Sequence, residues 1–453
     1  MDFAENATTY LQARAPSERS ITSHASIFTG ELVRQHQLTS SNKSFEPGAT
    51  IWSELKSEGY DTGVFSTNPF LTELNIGLSR DFDKTVGNQV DLLFPNANDP
   101  RDDRFEIIDG GVKDIYNFIS QSYTENSVTK SIFNGVKLKI DNSIFGETTN
   151  SHPDRKISNS FIKWVDNTSR LWAACINLMG SHLPFVAQEQ YRNWSSDDQI
   201  AEYESVDDEI WQFASNEGSW SKKQNHINLY DDSILQTDND VRHILTNIQE
   251  DIENTLVVIT SDHGEGFGEQ SEYKPIQISS HGEAAGLNEE LLHVPLVVKY
   301  PNQTDEKCVS SLSSPVNFPK VVRGVVNDKQ RSFKQPNGWF LASSRGIGPK
   351  AKDRASKYID DFSNYAVGAD KIQTDALYLE DDNKNIHKMI RYKNRYTYAN
   401  CSNFKDIVSI DDKVISGRYD SFLEKITTSN MTRESEQENS ASTKETLRHL
   451  GYM

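Results

Sequence analysis

Short apolar runs alternate along the chain with longer segments whose apolar residues recur at helical spacing. Between Tyr230 and Asn254, isoleucine, leucine and valine return every three or four positions, which predicts a helix closed near Asn254. The continuous run Thr255–Thr260 that follows predicts a fully buried strand. Similar runs predict three more strands, at Val294–Val298, Leu171–Leu178 and Gly63–Phe65. Helices that alternate with buried strands indicate a layered α/β fold.

Polar segments divide the rest of the chain. Those at Ala97–Arg104 and Glu147–Ser160 predict surface loops or insertions. Beyond Pro301 the pattern is less regular, and the alternating segment Lys388–Asn400 predicts exposed antiparallel strand in a small C-terminal subdomain. We therefore predict three parts: a main α/β domain over residues 1–300, a C-terminal subdomain over 301–426, and a polar linker with a terminal helix over 427–453.

The charge balance narrows the possible partners. The 453 residues include 47 Lys and Arg against 66 Asp and Glu, a formal net charge of −19. So acidic a chain lacks the basic surface that nucleic acids require, and we predict no nucleic-acid partner. No apolar run approaches the length of a membrane span, and the N-terminal MDFAENATTY has no signal-peptide pattern. The sequence as given therefore predicts a cytoplasmic protein.

The segment Thr260–Glu265 places polar residues directly after the buried strand. Ligands of open α/β sheets bind at the carboxyl ends of strands, so a site is expected there. Within the segment, Asp262 and His263 form a carboxylate–imidazole pair that suits a hard divalent metal ion. The alternative is structural, with Asp262 capping the next turn and His263 on the surface. At this stage both interpretations stand.

A second candidate is the segment Ser20–Gly30. Ser20, Thr22 and Ser23 crowd the start of a short apolar helix that Gly30 ends. These hydroxyls can be ordinary helix caps. A functional interpretation uses the same geometry, because a helix N-terminus offers N–H groups and a positive dipole end to an alkoxide or a tetrahedral oxyanion.

Two histidines stand next to predicted strands. His182 follows the strand at Leu171–Leu178, and His281 lies in a loop ahead of the strand at Val294–Val298. Either can be an ordinary surface histidine. Because both are predicted at the same edge of the sheet as Asp262, they are also candidates for the same site.

These motifs, in this order, resemble those of sulfatases and their phosphodiesterase relatives in the alkaline-phosphatase superfamily. Ser20–Gly30 resembles the nucleophile motif of the family, Asn177–Phe185 its Asn-x-Met-Asp-x-His-x-Pro-Tyr segment, and Thr260–Glu269 a further block. The resemblance also includes Gly59–Asn68 and Tyr230–Asp238, and it covers nearly the whole chain. It implies an alkaline-phosphatase-like three-layer α/β sandwich with a central, mostly parallel sheet, plus a small C-terminal antiparallel subdomain.

The resemblance also implies roles for individual residues. Ser20 takes the position of the nucleophile, and Asp262 and His263 become ligands of one divalent metal ion. The resemblance favours calcium, with magnesium or manganese as alternatives. The positions that would act on the ester oxygens and the leaving group are His182 and His281, and those that would bind the substrate are His24 and Asn68. The implied substrate is a small-molecule or glycan sulfate ester.

Departures from the family pattern adjust these expectations. Thr22 and His24 replace the Pro and Arg that accompany formylglycine formation in sulfatases, which predicts an unmodified Ser20. Before Ser20 the sequence offers Asp2 as the sole aspartate and no apolar strand, so we expect that the first metal-binding strand of the family is missing.

Three functions follow from these observations. The resemblance favours a metal-dependent hydrolase of sulfate esters. An unmodified Ser20 leaves open a phosphodiesterase or phospho-transferase, and a missing first strand leaves open an inactive remnant. Aryl sulfate and bis-aryl phosphate esters are the substrates that separate the first two.

Overall fold

A computed structural model describes most of the chain outside one long internal segment and several short ones. The described residues are 2–87, 152–204, 211, 223–249, 252–274, 276–282, 285–329, 332–364, 372–392, 395–401, 407–409, 419–434 and 443. The predicted loop at Ala97–Arg104 and the predicted terminal helix at Glu445–Met453 lie outside them.

Strands and helices alternate through the first two thirds of the described residues, and strands dominate after that. The strands are β1 Thr8–Ala13, β2 Lys43–Phe45, β3 Asp61–Ser66, β4 Lys84–Val86, β5 Trp172–Asn177, β6 Val257–Thr260, β7 Gly266–Gln270, β8 Gln277–Ser280, β9 Leu296–Lys299, β10 Lys307–Ser313, β11 Trp339–Arg345, β12 Ile372–Glu380, β13 Ile386–Tyr392, β14 Arg395–Asn400, β15 Ile407–Ser409 and β16 Thr432–Glu434. The helices are α1 Ser20–Thr29, α2 Val33–His36, α3 Ile51–Ser57, α4 Pro69–Thr72, α5 Pro153–Asp166, α6 Asp197–Glu204, α7 Lys223–Asn247, α8 Glu289–Leu292, α9 Phe318–Val326 and α10 Pro349–Ala355. None of these helices is both long and apolar enough to cross a membrane.

The main sheet is mixed and has the strand order β10-β1-β9-β6. A separate three-stranded sheet has the order β4-β3-β5. Strand β1 runs parallel to β10, and β3 runs parallel to both of its neighbours, whereas β9 runs antiparallel to β1 and β6. The predicted α/β class is therefore confirmed, and all four predicted strands are present as β3, β5, β6 and β9.

A strand precedes Ser20, where the sequence showed no apolar strand. Strand β1 has the mixed sequence TTYLQA, and Thr8, Tyr10 and Ala13 are buried while Leu11 is exposed. It pairs with β9 on one side and with β10 on the other, and such a strand does not need an unbroken apolar sequence. Because β1 contains no aspartate, the absence of the family's metal-binding first strand stays a prediction.

Two further predictions need correction. The polar segment at Glu147–Ser160 is not a loop over its second half, because α5 begins at Pro153 and buries Ile157, Phe161 and Val165 at helical spacing. Strand β6 is half-buried rather than fully buried. Among the described strands β6 pairs with β9 alone, so its other edge stays open.

The C-terminal sheet is antiparallel, as predicted, but β13 is mostly buried and not exposed. Its order is β11-β12-β13-β14-β15, and the alternating segment Lys388–Asn400 supplies most of β13 and β14. One apolar core joins the sheet to the main domain, since Phe340 and Met389 pack in the same cluster as Leu296. In the polar segment predicted as a linker, β16 pairs with β2. The division at residues 300 and 426 stays a prediction.

A buried ionic cluster also connects the C-terminal sheet to the main sheet. Arg14, just after β1, lies 2.9 Å from Glu289, and Lys388 of β13 lies 3.1 Å from Glu289 and 2.9 Å from Glu272. Both cations are fully buried. Burial alone would lower the pKa of Lys388, but the two carboxylates raise it above its ordinary value. The ammonium group therefore stays charged, and its loss would leave two carboxylates facing each other in the core.

Replacing Lys388 by methionine should destabilise the fold. Breaking a buried ion pair typically costs about 3–5 kcal/mol of the free energy of unfolding, because the partner is left charged and unpaired. Urea unfolding followed by circular dichroism measures the loss. Lys56→Met is the matched control, since Lys56 is 49% exposed and pairs with Asp83, 38% exposed, at the surface, where ion pairs contribute little. Equal effects of the two substitutions would contradict the assignment.

Candidate active site

Helix α1 turns one hydroxyl towards the end of β6. The helix runs from Ser20 to Thr29 and ends at Gly30, which adopts the left-handed conformation with φ 78°, as the sequence predicted. The hydroxyls of Thr22 and Ser23 donate to the backbone carbonyls of residues 19 and 17. Neither hydroxyl caps the helix, since a capping side chain accepts from a backbone N–H. The hydroxyl of Ser20 instead faces the loop after β6.

Two acceptors surround the Ser20 hydroxyl. Its Oγ lies 3.2 Å from His263 Nε2 and also reaches the carboxylate of Asp262. His263 Nδ1 lies 2.8 Å from the carbonyl oxygen of Gly264. Because a carbonyl can only accept, Nδ1 carries a proton, and it is Nε2 that faces Ser20 and has a lone pair in the corresponding tautomer. The arrangement can therefore take the serine proton or share its oxygen with a metal ion.

Asp262 is an ionised carboxylate in a mostly buried position. Its Oδ2 lies 3.6 Å from His263 Nε2 and 3.5 Å from His24 Nδ1. Burial alone would raise the pKa of Asp262, but the two imidazoles and the Ser20 hydroxyl lower it to about 2. Burial, and then the nearby charge of Asp262, raises the pKa of the Cys175 thiol on β5 to about 12.

Three imidazole rings cluster at this point. The ring of His281 lies with its centroid 4.9 Å from that of His182 and 4.7 Å from that of His263. Burial and then His281 lower the pKa of His182 to about 4, so this ring is neutral. Burial would also lower the pKa of His281, but Glu265, whose Oε2 lies 2.9 Å from Nδ1, raises it. The neutral ring of His182 therefore lies next to the ring of His281, which is more easily protonated.

Backbone contacts fix the loops that carry these side chains. The N–H of Gly264 donates to Leu291 O at 2.8 Å, and a Cβ at Gly264 would lie only 2.0 Å from the carbonyl oxygen of Glu290. Only glycine allows so close an approach. The carbonyl of Glu18, two residues before Ser20, accepts a hydrogen bond from Gly282 at 3.1 Å. This bond ties the His281 loop to the loop that begins α1.

Six of the seven predicted site residues are linked by these contacts: Ser20, His24, His182, Asp262, His263 and His281. The seventh, Asn68, follows β3 and caps α4 by accepting a hydrogen bond from the N–H of Phe70. Its buried Nδ2 has no hydrogen-bond partner. Sequence reasoning gave no separate role to Glu265, although it stands two residues after His263; its pairing with His281 depends on the fold.

The donor set suits a divalent metal ion. Asp262 is ionised, the Ser20 hydroxyl is adjacent, and the Nε2 lone pair of His263 points to the same place. One carboxylate oxygen of Glu265 is also buried without a hydrogen-bond partner. Oxygen donors with one imidazole are ligands that such an ion accepts.

The α/β fold is shared with solved phosphonate monoester hydrolases. The sequence profile of the family described as Sulfatase matches residues 2–326. That is well over half of the 453 residues, so the chain belongs to the sulfatase family and is a sulfatase-type hydrolase. Among curated proteins no significant match is found.

Solved structures share the fold at low sequence identity. The phosphonate monoester hydrolase of Agrobacterium radiobacter superposes with a TM-score of 0.57 at 12% identity, covering 94% of this chain and 88% of that chain. The enzyme of the same description from Silicibacter pomeroyi gives 0.57 at 12% identity, covering 93% and 88%. A protein solved in complex with its substrate D-glucosamine-2-N,6-O-disulfate gives 0.55 at 12% identity, covering 99% and 92%.

His36 holds the far end of the serine helix in place. Its Nδ1 accepts a hydrogen bond from the N–H of Leu38 at 3.0 Å, so the proton of the neutral ring is on Nε2. Nε2 lies 2.9 Å from Ser26 Oγ in α1 and donates to it. Burial, and then the proximity of Lys43, lowers the pKa of His36 to about 3. Protonation of Nδ1 would break its hydrogen bond from the N–H of Leu38.

We expect His36 to make the fold sensitive to acid. In the unfolded chain His36 binds a proton below about pH 6.5, whereas in the folded protein it stays neutral down to about pH 3. The unfolded state therefore binds more protons in that window, and the free energy of unfolding falls as the pH falls. His36→Gln, which cannot titrate, should weaken this dependence in urea titrations between about pH 7 and 4. The control is His243→Gln, at a partly exposed position; equal slopes in all three proteins would contradict the assignment.

Proposed function

We propose that this chain hydrolyses sulfate esters with Ser20 as the nucleophile, and that Asp262 and His263 hold a divalent metal ion. The observation that carries the proposal is the 3.2 Å approach of Ser20 Oγ to His263 Nε2 beside the ionised Asp262. Membership of the sulfatase family supports a sulfate ester as the substrate. By resemblance, calcium is the favoured ion, with magnesium or manganese as alternatives.

The chain's own residues account for the steps of the reaction. A divalent ion, when bound, would supply Lewis-acid neutralisation of the ester oxygens and lower the pKa of the attacking oxygen. Ser20 Oγ releases its proton to solvent and attacks sulfur in line, and the bond from sulfur to the leaving oxygen breaks. His281, the ring whose pKa is raised, gives the leaving alcohol its proton, and His182 contacts the ester oxygens. Water then releases sulfate from Ser20.

The site offers local positive charge to an anionic ester in an otherwise acidic protein. The N-terminus of α1 directs its dipole towards the Ser20 oxygen, and His281 has a raised pKa in the same cluster. A small-molecule or glycan sulfate ester is therefore the proposed substrate. The structural neighbour solved with a sulfated glucosamine supports the glycan.

Replacing Ser20 by alanine should abolish turnover of an aryl sulfate. Loss of a nucleophile that forms a covalent intermediate lowers kcat by about a thousandfold or more. Thr22→Ala is the matched control, because the Thr22 hydroxyl lies on the same turn but donates to the carbonyl of Arg19. Steady-state kinetics on both proteins, with the same divalent ion added, make the comparison. Unchanged turnover in Ser20→Ala would refute the assignment.

A second candidate function is the hydrolysis or transfer of phosphodiesters. It is favoured by Thr22 and His24, which stand where formylglycine-forming sulfatases have Pro and Arg. The ratio of kcat/KM for an aryl sulfate and a bis-aryl phosphate separates the two functions. Mass spectrometry of the peptide that contains Ser20 separates serine from formylglycine in the same preparation.

A further inference from the structure

A second cluster of metal-ligand side chains lies where α5 and α7 pack together. It shares no residue with the group around Ser20. His152, just before α5, Asp154 in its first turn and Asp240 on α7 each offer one ligand atom, and these atoms lie within 4.8 Å of one another. The two aspartates are 1% and 2% exposed. Buried carboxylates in such a group need compensating charge.

The charges in this cluster do not balance. Arg155 Nε lies 2.8 Å from Asp240 Oδ1, so this guanidinium compensates one carboxylate. The other oxygen, Asp240 Oδ2, is buried and has no hydrogen-bond partner. Asp154 accepts hydrogen bonds from the N–H groups of Met179 at 3.0 Å and Gly180 at 2.6 Å, which are neutral donors. A proton or a further cation is therefore required next to Asp240.

His152 makes a cation the better choice than a proton, because its ring adds a nitrogen ligand atom within 4.8 Å of the two carboxylate ligand atoms. Its present hydrogen bond, from the N–H of Asp154 to Nδ1, is long at 3.4 Å and is easily replaced. The donor set is therefore one imidazole and two carboxylates, and one carboxylate oxygen has no hydrogen-bond partner.

We propose that His152, Asp154 and Asp240 bind a divalent first-row transition ion, Zn²⁺ foremost, at a site distinct from Asp262 and His263. Three ligands of mixed nitrogen and oxygen type, with a position left for water, suit Zn²⁺. Calcium instead takes six to eight oxygen ligands, which these residues do not provide. This inference does not depend on the ester chemistry proposed for Ser20.

The site would brace the turn that presents His182. Asp154 binds the N–H groups of Met179 and Gly180, and Met179 O in turn accepts a hydrogen bond from the N–H of His182 at 2.9 Å. A Cβ at Gly180 would lie 2.9 Å from Asp154 Oδ2 and 2.6 Å from Thr237 Oγ1, so the turn lies directly against the cluster. An ion fixed to Asp154 and Asp240 joins this turn to α7. The three ligands are positioning residues in this role.

Isothermal titration with ZnCl₂ tests the site directly. The full chain is first stripped of metal, and Asp262→Asn is introduced to remove the other candidate site. We expect this protein to bind about one Zn²⁺ per chain, and the further change Asp240→Asn or His152→Gln to weaken binding at least tenfold, a loss of about 1.4 kcal/mol. His243→Gln in the same background is the control, because His243 lies on the same helix and pairs with Asn159.

Two further measurements keep the test decisive. Zn²⁺ should raise the melting temperature of Asp262→Asn but not that of the proteins that also lack Asp240 or His152. X-ray absorption of the Zn²⁺-loaded Asp262→Asn protein should show one imidazole ligand and oxygen ligands at about 2.0–2.2 Å. The proposal is overturned if Asp262→Asn binds no Zn²⁺, if Asp240→Asn and His152→Gln bind it as well as the control does, or if the spectrum shows no imidazole.

Discussion

The candidate active site depends on one buried negative charge, that of Asp262. The carboxylate of Asp262 stays ionised in a mostly enclosed position, and such a charge is stable only where donors and cations are gathered around it. His24, His263 and the Ser20 hydroxyl supply that environment. Burial, and then the same charge, raises the pKa of the Cys175 thiol. Asp262 therefore holds the serine oxygen and the imidazoles together before any ligand binds.

The site residues come from distant parts of the sequence, and a few close backbone contacts hold the loops that carry them together. Gly264 lets the loop after β6 pass against α8, and the bond between Glu18 and Gly282 holds the His281 loop against the start of α1. Asp154 holds the turn ahead of His182. Each contact involves backbone N–H groups, so the positions depend on chain geometry more than on flexible side chains.

Much of this architecture could be predicted from local sequence signals. The apolar run before Asp262 marked a strand, and the hydroxyl-rich start and glycine end of α1 marked a short helix. Both patterns act over a few residues, which is why they are visible in one sequence. Family resemblance then placed His182 and His281 in the same site as Asp262, and the ring contacts of the structure agree with that placement. Their chemical roles stay predictions.

Other features depend on tertiary structure and left little local signal. Strand β1 has only one buried face, so its mixed sequence did not read as a strand. The start of α5 is polar, and Asp154 and Asp240 lie 86 residues apart, so only the packing of two helices brings them together. The pairing of Glu265 with His281 likewise requires the β7–β8 hairpin.

A crystal structure with orthovanadate tests the central claim most directly, because vanadate adopts the in-line geometry of both sulfuryl and phosphoryl transfer. We expect vanadium bonded to Ser20 Oγ, with Asp262 and His263 on one side and His182 and His281 within reach of the vanadate oxygens. Vanadate bound without Ser20, or a Ser20 oxygen that faces a different pocket from Asp262, would contradict the account.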